Sequence, residues 1–317
     1  MLLSDAIEEL CIATRANGRS PRTVQAYREK LGYLLDFLGD VVIEGISIHD
    51  LRRYIAHQMD RQTRWADHPL HSEIEGALSP FTIAGRIRAL KRLFNWLQEE
   101  GILEHNPAKR IKTPQPKRRE PKGISQSDFV ALLATTEGDS TFELRDRALI
   151  LFLGDTGCRV GGLCGLRVQD LHLDMGLATV TEKRDKTRLV PFTEPTAAAL
   201  RAWLKVRPED KGPWVFVGLA HHSKGALSSS GVLHMLRRRA KQAGVTGPVN
   251  PHAFRHAFAR HFLLDGGDLG TLSELMGHED VGITKQYYAI FTIKELQAKH
   301  REHSLIAQIF GGDEDGD

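Results

Sequence analysis

Two arginines, two histidines and a tyrosine in the second half of this chain have the right chemistry for one task, holding a phosphodiester while a phenol attacks its phosphorus. They are Arg159, His252, Arg255, His278 and Tyr287, in the segments TGCRVGGLCGLRVQDL (156–171), PHAFRHAFA (251–259) and LMGHEDVGITKQYY (275–288). A guanidinium offers a fixed fork of donors that holds two non-bridging phosphate oxygens at once. An imidazole passes protons near neutral pH. A phenol, with a pKa of about 10, needs neighbouring cations before it attacks at pH 7. The sequence shows no carboxylate cluster for a metal and no glycine loop for cradling phosphate beside them.

Local pattern says where these residues sit. His252 and Arg255 are three apart and share one face of a helix that opens at Asn250-Pro251. In that first turn a phosphate also gains from backbone N–H groups and the helix dipole. Arg159 follows Thr156-Gly157, where one helix ends and another begins. His278 follows Gly277 at the end of the helix TLSELM, a place where a histidine also serves as an ordinary C-terminal cap. Two neighbours compete on chemistry alone: His256 with His252, and Tyr288 with Tyr287. Adjacent helical positions point about 100° apart, so only one tyrosine faces the phosphate.

The order Arg…His-x-x-Arg…Gly-His…Tyr, with Tyr287 nine residues after His278, resembles the tyrosine recombinase (phage integrase) family. The family register favours His252 over His256 and Tyr287 over Tyr288. It implies that Arg159, Arg255 and His278 stabilise charge on phosphorus and that His252 exchanges the tyrosine's proton. Leu163, Leu166 and Asp170 take the family's structural positions after Arg159. The segment EKRDKTRLVPF (182–192) resembles the family's GKGxKxRxVPL. That makes Lys183 the general acid for the leaving 5′ oxygen, with Lys186 the runner-up and Lys186 and Arg188 supporting contacts to DNA. Two departures stand out. The family has Glu or Asp three residues after the arginine, where this chain has Gly162, so another group supplies the carboxylate or the site is looser and slower. The glycines that flank the family's lysine are Glu182 and Arg184 here, which stiffens the loop.

The resemblance covers nearly the whole chain. SPRTVQAYREKLGYLLDFL (20–38) and SPFTIAGRIRALKRLFNWL (79–97) resemble an N-terminal core-binding domain. TIKELQAKHREHSLIAQIF (292–310) resembles the terminal helix by which Xer-like members dock into a neighbouring protomer, the alternative being a helix packed on its own domain. The implied activity is site-specific DNA recombination through a 3′-phosphotyrosyl link, for integration, excision or resolution, without metal, ATP or other cofactor. The implied partners are double-stranded DNA carrying a recombination site and three further protomers, either identical or including a related recombinase, in a tetramer on two duplexes. Two alternatives use the same residues: a type IB topoisomerase-like nicking-closing enzyme and a catalytically impaired DNA-binding regulator.

Composition fits such a protein. The chain has 317 residues, 41% hydrophobic and 26% charged, enough for two domains with real cores. Net charge is only +3 because the acidic tail GGDEDGD offsets basic stretches. Three cysteines are too few for a disulfide framework. No apolar run approaches the roughly 20 residues of a membrane span, and MLLSDAIEEL carries acids where a signal peptide carries lysine or arginine. These features fit a cytoplasmic protein, and the family resemblance implies association with the nucleoid.

The expected fold is mainly α: a helical core-binding domain over 1–107, a basic proline-rich linker over 108–123, a mostly helical catalytic domain with a small antiparallel sheet over 124–310, and an acidic tail over 311–317. Apolar residues at helical spacing mark helices over 20–38 and 79–100, each opened by Ser-Pro, with a shorter one near 47–60 and a loop at 61–77. Lys109, Arg110, Lys112, Lys117, Arg118 and Arg119 lie among the linker prolines, where they suit either a plain solvated linker or a strap that tracks the backbone of a duplex. The strands expected are LATVTE (177–182), TRLVPF (187–192) and a short third, WVFV (214–217).

Overall fold

The computed structural model describes residues 1–64, 74–116, 122–182, 186–220, 223, 225–277, 282, 284 and 295. The chain divides into two compact units, Met1–Arg119 and Glu120–Asp317.

In the first unit, α1 (Leu3–Ala16), α2 (Pro21–Leu38), α3 (Ile48–Asp60) and α4 (Pro80–Glu99) enclose one core. The Ser-Pro starts work as expected: Ser20 Oγ accepts from the Thr23 N–H and Ser79 Oγ from the Thr82 N–H, at 3.3 and 3.1 Å. Ser47 and Asp50 form a reciprocal capping box on α3. The period of α4 places Ile83, Ile87, Leu90, Phe94 and Leu97 inside. Within the segment expected to be a loop, a two-residue antiparallel pair joins β1 (Thr63–Arg64) to β2 (Ile74–Glu75). Packing of this unit continues past residue 107, because Ala108 and Ile111 are buried in its core and Lys91 Nζ donates to the Ile111 carbonyl at 2.8 Å. Lys109, Arg110 and Lys112 are exposed between and beside these anchors.

The second unit is built round α6 (Thr141–Thr156), whose Ala148, Leu149, Ile150, Phe152 and Leu153 are all fully buried. The six consecutive apolar residues Ala148–Leu153 leave that stretch no polar face, which places it in the middle of a core. Around it lie α5 (Gln126–Ala134), α7 (Val160–Gly165), α8 (Glu194–Val206), α9 (Ser229–Gln242), α10 (Pro251–Leu264) and α11 (Leu269–Met276). A three-stranded antiparallel sheet runs β3 (Leu171–His172), β4 (Leu177–Thr181), β5 (Thr187–Pro191), with Thr181 opposite Thr187 beside the hairpin turn. The third strand is therefore Leu171–His172 and not WVFV. Trp214 and Val217 make only isolated bridges, to Arg167 and Ala226. Val215, Phe216 and Val217 are fully buried, and Trp203 Nε1 donates to the Val215 carbonyl at 2.8 Å. Their apolar run records burial, which a short strand and a buried irregular segment share. No described helix is long and apolar enough to cross a membrane.

Candidate active site

Arg159 is placed by a helix stop. Gly157 ends α6 in the left-handed conformation, φ 55°, and a Cβ there would stand 2.6 Å from the Phe258 ring. Only glycine meets both demands without strain. The chain then turns through buried Cys158 and leaves Arg159 as the residue before α7. Burial pushes the Cys158 thiol above its ordinary pKa, which keeps it protonated.

His252 lies in the first turn of α10 and Arg255 one turn further on, on the same face, as a spacing of three requires. Asn250 caps the first turn by accepting from the Ala253 N–H at 3.1 Å. His252 is exposed, whereas Arg255 is only 4% exposed. The Arg255 guanidinium donates to the Gly157 carbonyl at 2.7 Å and to the Met276 carbonyl at 2.5 Å. It thereby ties the end of α6 to the end of α11. Half-buried His256 stays neutral further into the acid range than a free imidazole, chiefly through burial and then through the charges of His252 and Arg255.

The end of α11 receives three guanidiniums on three consecutive carbonyls. Arg188 from β5 donates to the Leu275 carbonyl at 2.5 Å, Arg255 to that of Met276, and Arg159 to that of Gly277 at 3.3 Å. A helix C-terminus leaves its last carbonyls without partners inside the helix and carries partial negative charge, so cations settle there. Gly277 again turns left-handed, φ 63°. The chain entering His278 therefore leaves from a point fixed by residues of β5, α10 and the α6–α7 junction.

Arg188, expected to support DNA contacts, is 13% exposed and faces inward. Burial lowers its pKa below that of a free guanidinium. Its partner besides Leu275 is Glu182, which also pairs with Arg159. The motif reading left Glu182 as a stiffening substitution and did not foresee these contacts. Lys186 is exposed, and its carbonyl accepts from the Glu182 N–H at 2.8 Å to close the hairpin. Lys183, His278, Tyr287, Tyr288, Lys117, Arg118, Arg119 and the acidic tail lie outside the described residues. Gly282 and Thr284 are helical, as is Glu295 in the segment expected to be the terminal helix, and Glu295 pairs with Arg260 of α10.

Known proteins with these features are numerous. The phage integrase family matches residues 122–292, and its N-terminal SAM-like domain matches residues 14–101. The tyrosine recombinase XerD of Listeria monocytogenes serovar 1/2a is 32% identical over 298 residues, covering 90% of this chain and 94% of that protein. The tyrosine recombinase XerC of Xanthomonas campestris pv. campestris is 33% identical over 271 residues, covering 84% and 78%. Among solved structures, the Tn1549 transposon integrase in complex with transposon right end DNA superposes with a TM-score of 0.73 at 18% identity, over 95% of this chain and 99% of that one. The XerH site-specific recombinase bound to its difH substrate gives 0.67 at 19% identity, over 92% and 82%. Matches of this extent, over both units and across the segments that hold Arg159, His252 and Arg255, make this chain a member of the phage integrase family and a tyrosine recombinase of the Xer type.

Proposed function

We propose that this recombinase cuts and rejoins double-stranded DNA at a specific site, with Tyr287 as nucleophile. The observation that carries the reading is the convergence of Arg159 and Arg255 on the carbonyls of Gly277 and Met276, at the mouth of the segment leading to His278 and Tyr287. The Tyr287 oxygen bonds to phosphorus as the P–O5′ bond breaks. The phenolic proton passes to His252, and Lys183 gives a proton to the leaving oxygen. Arg159, Arg255 and His278 stabilise the charge that grows on the non-bridging oxygens. A 5′-hydroxyl from a partner duplex then attacks the phosphotyrosyl link and reverses the steps. One phosphodiester is exchanged for one phosphotyrosine and back, so the energy is conserved in the covalent link.

Four strands are exchanged, so four protomers act on two duplexes, all copies of this chain or shared with a related recombinase. The first unit and the basic residues Lys109, Arg110, Lys112, Lys117, Arg118 and Arg119 grip the duplex backbone, with Lys186 near the cleavage point. The protein works in the cytoplasm, on the nucleoid. Nicked duplexes tiled from DNA flanking the gene test the reading, with EDTA present. A denaturant-resistant adduct formed by wild type and by Tyr288→Phe but lost in Tyr287→Phe is the expected result. DNA binding without any adduct sinks the strand-transfer reading in favour of a regulator.

A further inference from the structure

With Gly162, α7 offers no carboxylate beside Arg159, yet one stands there. Glu182 follows directly on β4 and its side chain is only 8% exposed. One carboxylate oxygen accepts from Arg159 Nη1, while the other accepts from Arg188 Nε and Nη2 at 3.3 and 3.1 Å. The two arginines reach on to the carbonyls of Gly277 and Leu275. A Cβ built on Gly162 would lie 3.7 Å from Glu182 Cγ and 3.5 Å from Val180 Cβ. Glu182 therefore comes in from the strand over the same ground that a side chain at position 162 would cover from the helix.

We propose that Glu182 is the positioning residue for Arg159, so that the acid orienting this guanidinium has moved from α7 to the end of β4. The inference rests on Arg159 acting as a phosphate clamp. Arg159 is 38% exposed, and a long side chain reaching toward solvent keeps one rotamer only when a partner holds it. A carboxylate buried in low dielectric is a strong partner. One anion shared between two guanidiniums also leaves a net positive charge for the incoming phosphate. A second consequence is mechanical. The Glu182 N–H closes the hairpin on the Lys186 carbonyl, and Lys183 is the next residue, so one position aligns the clamp and anchors the turn carrying the general acid.

The test uses the full chain and a library of nicked duplexes with randomised cores, from which wild type selects its own site by covalent trapping. On that substrate Glu182→Ala and the isosteric Glu182→Gln are expected to slow single-turnover cleavage on the order of 100-fold, with DNA affinity little changed for Glu182→Gln and its melting temperature lowered but still above the assay temperature. The double variant Gly162→Glu/Glu182→Ala regains at least a tenfold share. A bridging-sulfur substrate, whose leaving group needs no general acid, leaves the deficit in place, and an uncharged methylphosphonate at the scissile position shrinks it. Cleavage by Glu182→Gln within twofold of wild type overturns the proposal. So does a deficit abolished by the sulfur leaving group, which would assign the effect to Lys183. Absence of any wild-type adduct removes the strand-transfer reading and this inference with it, whereas a normal wild-type adduct with unaffected Glu182 variants removes this inference alone.

Discussion

The stem of Arg188 lies so close to Gly277 that a Cβ on the glycine would stand 2.7 Å from both Cδ and Nε of the arginine. Gly277 also needs its left-handed φ of 63° to end α11. Gly277→Ala therefore meets backbone strain and displaces a buried guanidinium together. The expected cost is about 1–3 kcal/mol of stability, read from the urea midpoint. DNA cleavage should fall further than stability, because Arg188 also holds Glu182.

Asp146 is the electrostatic centre of the second unit's interior. It is fully buried and accepts from Arg145 at 2.7 Å, from Arg238 at 2.8 Å and from Arg239 at 2.9 Å. Arg145 and Arg239 are themselves buried. Asp146→Ala leaves two guanidiniums in the core without their anion, which should cost roughly 3–5 kcal/mol. A shift of the urea midpoint with an unchanged slope is the expected signature.

His256 should give a pH dependence of known sign. Its pKa is lowered in the folded state, chiefly by burial, whereas the unfolded chain has an imidazole pKa of about 6.5. The unfolded state thus takes up the proton first. Its contribution to stability is complete above the unfolded pKa and is lost as pH falls through that value toward the lower folded one. Melting curves between pH 7 and pH 5 should therefore fall less steeply for His256→Gln than for wild type.

The exposed basic residues beside the anchored turn, Lys109, Arg110 and Lys112, are expected to contact phosphates. Replacing all three with glutamine should flatten the plot of log affinity against log salt by roughly 0.9 per lost contact. The loss should be similar for every DNA sequence. A variant with an unchanged slope would place DNA on another face.

Much of this structure was legible because its signals are local. Ser-Pro starts, 3.6-residue periods and the polar hairpin turn each involve a few neighbouring residues, and they located α2, α4, α6, α10, β4 and β5. The left-handed stop at Gly157 and the first turn of α10 likewise fixed the surroundings of Arg159, His252 and Arg255. Three features escaped. The buried face of α1, with Leu3, Ala6, Ile7, Leu10 and Cys11, lies in a segment assigned to the helical domain as a whole but given no helix of its own. The run WVFV has no period that separates strand from buried coil. Glu182 was passed over because the contacts that give it a role are remote: Arg159 is 23 positions earlier, and Arg188, only six positions on, is turned inward by a carbonyl 87 positions from it. Motif spacing reports which residues are present, but charge compensation is decided by folding.

The shared ground between positions 162 and 182 also constrains how such a site changes over generations. Acids at both places would crowd two negative charges against the same guanidinium, and acids at neither would leave Arg159 unbraced. Each single exchange passes through a poorer enzyme, so the pair behaves as one heritable unit. Among descendants of this chain an acid regained at 162 should travel with the loss of Glu182, a signature of epistasis that a table of sequences can reveal.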